Sequence, residues 1–195
     1  MQDSVLAQVF LESTLTVFEK HKQWADQAIK QLTDEQLRQP LDDQSNSVAV
    51  IMKHVAGNLL SRWTEFLTTD GEKPWRDRDQ EFVDNFPSRE EILAYWNEGW
   101  NCLFDSLKSL APPDFQKTIT IRGEPHSVPL ALQRSLAHCA YHIGQILMLS
   151  RHWSGEKWKT ITIPRGQSSK FNNTVWGSSN YGSKETPPGT PQEDD

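Results

Sequence analysis

The stretch Arg134-Ser-Leu-Ala-His138-Cys-Ala-Tyr-His142-Ile-Gly-Gln145-Ile-Leu147 decides how the chain is read. At the helical advance of about 100° per residue, Arg134, Ser135, His138, Tyr141, His142, Gln145 and the later His152 share one arc of about 120°. Leu132, Leu136, Cys139, Ile143, Ile146 and Leu147 share the adjoining arc. A compact polar stripe beside an apolar one is the mark of a helix. His138 and His142, four residues apart, stack one turn above the other with Cβ atoms about 5–6 Å apart. That spacing lets two imidazoles converge on one metal ion. Such a pair also arises by chance on polar faces, but this stripe lacks the Lys and Glu of an ordinary solvated face.

Upstream, a second long helix is predicted from Val48 to about Thr68, opened by the N-cap residues of Asp42–Ser47 and stopped by Asp70-Gly71. Around its single histidine, His54, one arc holds Ser47, Val50, Gly57, Asn58 and Ser61, all small or polar. Met52, Val55, Leu59, Trp63 and Phe66 lie towards the other side. Gly57 costs about 1 kcal/mol relative to Ala inside a helix. Its compensation is space, for a close helix approach or for room above a metal. His54 alone reads as a core or surface histidine; with the 138/142 pair on another helix it reads as a third ligand. Three imidazoles with an open fourth position describe a catalytic metal site rather than a closed structural one. Zinc is the default ion, and nickel or another first-row ion also suits imidazole. Asn58 and Gln145, on the same faces as the ligands, are candidates to orient an imidazole or a bound water, and Tyr141 is a third. Arg62 and Arg134 could hold an anionic substrate group, although ordinary surface arginine is the commoner role. His21 on a polar stretch, His126 in the β turn and His152 near a helix C-terminus fall outside the site.

The rest of the chain supplies two more long helices. Residues 3–31 carry apolar positions at helical spacing, and Thr33 with Gln36 forms a capping box for one short turn ended by Pro40. Ser88-Arg89-Glu90-Glu91 opens a third long helix running to about Leu110. Thr118-Ile-Thr-Ile121 reads as a strand, Arg122-Gly123-Glu124 as a turn and Ser127-Val128 as its return, before Pro129 starts the last long helix, to about Trp153. Trp158–Ile163 is expected as a short strand or extended arm. Glu72–Phe86 is a long charged loop, and loops of that length are either functional or linkers. From Asn172 the chain turns to Ser, Gly, Pro and acidic residues, a composition expected to stay disordered. The domain reading is therefore one helical bundle domain over 1–171 and a tail over 172–195.

Composition sets the class. A chain of 195 residues with 36% hydrophobic and 24% charged residues suits one globular core. The formal charge of −6 offers no basic face for nucleic acid, and half of it falls on Lys184, Glu185, Glu193, Asp194 and Asp195. Cys102 and Cys139 form no CxxC pair and read as small apolar residues in a reducing compartment. With no signal-peptide pattern and no membrane-length apolar run, a cytoplasmic protein is expected.

The run His138-Cys-Ala-Tyr-His142-Ile-Gly-Gln145-Ile with a lone histidine on the second helix resembles the DinB-like (YfiT-like) metalloenzyme superfamily, over residues 3–153. Two further stretches resemble an uncharacterised bacterial branch of it. One is His54-Val-Ala-Gly-Asn-Leu-Leu-Ser-Arg-Trp63 with Thr69–Pro74 and Arg76-Asp77-Arg78-Asp79; the other is Thr162-Ile-Pro-Arg-Gly166 with Ser168. The resemblance implies an all-α, up-down-down-up four-helix bundle, a divalent metal on His54, His138 and His142, and a homodimer. Relatives include transferases that join low-molecular-weight thiols to electrophiles, and a thiol-dependent isomerase. Here the expectation is an enzyme activating a thiol or water for attack on a small electrophile. The alternatives are a metal-dependent hydrolase and a non-catalytic, dimeric metal-binding stress-response protein. No HExxH glutamate accompanies the histidine pair, so a protease-like base is not encoded there.

Overall fold

The computed structural model describes residues 2–175. Four long helices make the bundle: α1 (Gln2–Ile29), α3 (Val48–Trp63), α4 (Arg89–Lys108) and α5 (Val128–Ser154), with short helices α2 (Asp34–Arg38) and α6 (Ser168–Val175). A hairpin of β1 (Thr118–Ile121) and β2 (Glu124–Ser127) precedes α5. The starts follow the predicted caps: the side chains of Thr33, Ser47, Ser88 and Ser127 accept from backbone N–H groups at the heads of α2, α3, α4 and α5.

Helix directions are fixed by a few contacts. The Lys22 ammonium donates to Asn97 and the Trp96 indole donates to Asp26, so α1 and α4 run antiparallel. Ser106 donates to the Trp63 carbonyl while Gly99 lies against Ala56, so α3 and α4 run parallel. Trp63 donates to Ser135, pairing α3 antiparallel to α5. The up-down-down-up order follows. A Cβ on Gly99 would come within 2.7 Å of the Ala56 Cα, so glycine is what permits the close approach of α3 to α4. Phe18, Trp63, Trp96, Trp100, Leu103 and Leu132 fill the middle of the core, at 2% exposure or less.

Two parallel neighbours cannot be joined by a tight turn, so the connection from 64 to 88 must run back along the bundle. It lies on α3, fastened by Lys53, whose ammonium donates to the carbonyls of Gln80 and Val83 and to Asn85 at 2.6, 2.9 and 2.7 Å. A single 3-10 turn, Gln80–Phe82, sits at the middle of this attachment.

Several boundaries differ from the sequence reading. The second long helix ends at Trp63, not Thr68: Thr64 is extended and Glu65 takes φ +48, starting a turn that closes on the Glu65 carbonyl. The hairpin turns on two residues, Arg122 and Gly123, both at positive φ, the geometry of a tight I′-type loop; its return strand is Glu124–Ser127 rather than 127–128. Trp158–Ile163 forms no strand; Lys159 exchanges two hydrogen bonds with the Gln31 side chain instead. The tail expected from Asn172 begins inside α6, which starts because the Pro164–Gln167 turn, with Gly166 at φ +77, reverses the chain. Its remainder, residues 176–195, lies outside the described residues. Among the described residues no helix is long and apolar enough to cross a membrane.

Candidate metal centre

Antiparallel packing of α3 on α5 sets His54 opposite the His138/His142 pair. Ring centroids lie 5.2 Å apart for His54 and His138, 4.9 Å for His54 and His142, and 4.5 Å for His138 and His142. One ligand atom from each falls within 4.8 Å of the others, so the three could hold a metal ion. His54 and His142 are buried and His138 half-buried.

Two of the three rings are oriented by the protein. His54 Nδ1 lies 2.9 Å from Glu81 Oε2, so it donates to the carboxylate and leaves Nε2 as a lone pair facing the centre. His142 Nδ1 lies 2.8 Å from the Gln145 carbonyl oxygen, which frees its Nε2 in the same way. This is the arrangement by which ligand histidines are held in one tautomer. His54 Nε2 then faces His138 Nε2 at 3.2 Å. Without a cation the contact holds only if His138 carries its proton on Nε2. With a cation between them both lone pairs are used. His138 Nδ1 is buried and has no partner among the described residues.

Electrostatics also favour neutral imidazoles. Burial pushes the His138 pKa down to about 3, helped by His142 and His54, and burial pushes His142 down to about 4. Both rings are therefore unprotonated at neutral pH, as ligation requires. The donor set, with two of its rings oriented and two unprotonated, fits a bound metal ion.

Glu81 is the residue that sequence reasoning missed. Its carboxylate, 4% exposed, takes a bidentate fork from Arg76, Nε to Oε1 at 2.7 Å and Nη2 to Oε2 at 2.9 Å. Burial would raise its pKa, but the hydrogen bonds from His54 and Arg76 outweigh that and hold it below its ordinary value. Phe82 stacks on the His54 ring at 4.8 Å. Gly57 gives space, though for Glu81 rather than for a helix or a substrate: a Cβ there would lie 2.5 Å from Glu81 Oε1. The signal available was that glycine one turn after His54, together with a long charged loop.

The other expected residues separate. Gln145 holds His142, and its Nε2 donates to the Tyr141 hydroxyl at 3.3 Å. Tyr141 itself is 62% exposed at the rim. Asn58 lines a small pocket beside His138 with Arg62 and Arg134, and among the described residues it donates to none of the three imidazoles. His21 and His152 lie away from the centre, whereas His126, placed in a turn by its sequence context, is buried at 6% exposure.

Fold and site together define a helical bundle carrying a three-histidine cluster with the chemistry of a metal centre. Residues 5–167 match the family described as "Protein of unknown function (DUF1572)", and the chain belongs to that family. No curated protein matches it.

Proposed function

We propose that this chain is a DinB-like, metal-dependent enzyme that activates a low-molecular-weight thiol for attack on a small electrophile. The observation that carries the reading is the convergence of three imidazoles, two of them oriented through Nδ1 by the protein, beside a pocket that reaches His138. His54, His138 and His142 would hold a divalent ion, zinc by preference and nickel as the next candidate, which would supply Lewis acidity and lower the pKa of a thiol or water. The protein's own part is orientation. Glu81 aims His54, Gln145 aims His142, and Phe82 covers the His54 ring. Glu81 already accepts from Arg76 and His54, and these bonds hold its pKa below the ordinary value, which makes it a poor base. That favours a thiol, which an ion can deprotonate outright, over a nucleophile that needs a nearby carboxylate base.

The three-histidine donor set supports hydrolysis as a second reading, because it can bring a bound water to a pKa near neutrality. Turnover of esters or amides without added thiol separates the two. Elemental analysis tests the common ground. Wild-type protein should retain about one ion per chain, and His54→Ala, His138→Ala and His142→Ala should each lose it; unchanged content in the variants sinks the reading. Loaded protein incubated with a simple thiol and monochlorobimane then tests the reaction, and turnover no better than that of metal-free protein counts against it.

Two expectations of the resemblance belong to the same proposal. The unpaired cysteines Cys102 and Cys139 support a cytoplasmic setting. Exposed Leu6 and Val9, beside a groove of about 670 Å³ between α1 and the start of α5, support a homodimer, which light scattering in solution tests.

A further inference from the structure

We infer that the cavity between α3, α5 and the β1–β2 hairpin is an anion subsite, built to hold the oxyanion head group of a small molecule whose other end reaches the histidine centre. For that second clause the inference rests on the proposed function; the binding of the anion does not.

The cavity has a volume of about 90 Å³, and His138 forms part of its wall, so it is continuous with the centre. Its other walls are mostly apolar, with Trp63 and Phe66 from the α3 side and Ile119 and Ile121 from β1. Two arginines, Arg62 and Arg134, also line it. Arg62 commits only Nη1, to the Gly71 carbonyl at 2.9 Å and to Glu72 at 3.6 Å. Its Nε and Nη2 have no protein partner among the described residues. The bare backbone of Gly71 makes the room: a Cβ there would lie 3.3 Å from both Cδ and Nη1 of Arg62.

Arg134 is held by a relay from the hairpin. His126 Nδ1 donates to the Glu124 carbonyl at 2.9 Å, which leaves Nε2 as an acceptor for Arg134 Nη1. A buried imidazole is thus spent on orienting a guanidinium at the mouth of the pocket. Arg134 leans on this ring and has no carboxylate partner among the described residues. Nearby, Arg62 and Arg122 share the carboxylate of Glu72 with Arg76, which is also paired with Glu81. The local balance is positive, and crowding shows: burial and then the neighbouring Arg76 push the Arg62 pKa down to about 10. An oxyanion between the two guanidiniums supplies the missing charge and takes the unused donors. Small volume and apolar walls then select a carboxylate or phosphate on a short carbon chain.

The Trp63 indole N–H, which donates to Ser135 at the pocket wall, gives a direct readout. Full-length protein, once with metal chelated and once loaded with zinc, is titrated at constant ionic strength with propionate, inorganic phosphate and the neutral isostere propionamide. The Trp63 indole resonance is followed by NMR. A saturable shift with either anion and none with propionamide is expected, and the stronger of the two anions identifies the head group. Arg134→Gln, at the exposed rim, and Arg62→Gln should each weaken binding about tenfold, the cost of a lost charged hydrogen bond. His126→Phe should weaken it in the same direction while zinc uptake stays unchanged. An equal response to propionamide, no saturable shift with either anion, or undiminished binding in a folded Arg134→Gln protein overturns the inference. Failure to take up zinc counts against the metal reading alone, since the chelated titration reads the anion by itself.

Discussion

Glu81 stands in the space that Gly57 leaves empty: a Cβ at position 57 would lie 2.5 Å from Glu81 Oε1 and 2.9 Å from Cδ. The relationship joins helix α3 to the crossover that covers it. Because Glu81 also accepts the hydrogen bond from His54 Nδ1, a missing side chain on α3 sets the direction of a ring one turn away. Substitutions that touch no histidine should therefore change metal binding.

Gly57→Ala is the sharpest case. Alanine is the better helix former by about 1 kcal/mol, so a local view expects a more stable protein. The added methyl forces the Glu81 carboxylate out of line, and metal affinity should drop about tenfold or more. Competition with a chromogenic chelator measures it, and an unchanged affinity would falsify the link between the two residues.

Glu81→Gln should lower metal affinity about 10–100-fold, as loss of a partner behind a ligand histidine does. The Arg76 side chain is only 2% exposed, so the same change should also destabilise the fold, by up to about 3 kcal/mol. Adding Arg76→Met should restore stability without restoring affinity. Parallel recovery of both would show that the carboxylate acts through packing alone.

Periodicity made the long helices and the histidine trio legible, because a stripe of side chains at fixed angles is a local property of the sequence. Glu81 was not legible for the opposite reason. Glu72, Asp77, Asp79, Glu81 and Asp84 share one aperiodic loop, and which of them turns inward depends on the path the crossover takes over α3. That path follows from the parallel packing of α3 and α4, a tertiary fact. Gly57 could be read as reserved space, but not for whom. His126 was set aside because its neighbours spell a turn; its burial comes from the hairpin folding against α5.

Gln145→Ala should weaken metal binding by about tenfold, since it removes the acceptor that fixes the His142 tautomer. Tyr141→Phe, which removes only a hydroxyl at 3.3 Å from Gln145, should leave affinity within about twofold. Equal losses in the two variants would mean that the pair acts as one unit.

Asp70 gives a pH-dependent prediction. Its carboxylate accepts from the backbone N–H groups of Glu72, Gly123 and Arg122, all at 2.7–2.8 Å, which hold its pKa well below the ordinary 3.8. The unfolded chain therefore takes up this proton first as pH falls. The stabilisation is fully present above about pH 4 and lost progressively below it. Because the group is near solvent, Asp70→Asn should cost only about 1 kcal/mol at pH 7. Urea unfolding at pH 7 and pH 3 checks the sign: the variant's deficit should shrink at the lower pH.

Gly99→Ala separates stability from the site. Its methyl would press on the Ala56 backbone at 2.7 Å, and the helices must part at a cost of about 1–3 kcal/mol. Thermal unfolding should report that cost, with metal stoichiometry unchanged in the folded protein.

The crossover has a consequence for how this fold can be altered. Within one connection it carries Asp70, which grips the hairpin turn, Glu72, which sits among three arginines, and Glu81, which stands behind His54. The helices supply the imidazoles, but this single loop tunes both the direction of the His54 ring and the charge of the neighbouring pocket. Transplanting residues 64–88 into another bundle of the same helix order would carry both settings across together, as one exchangeable cassette.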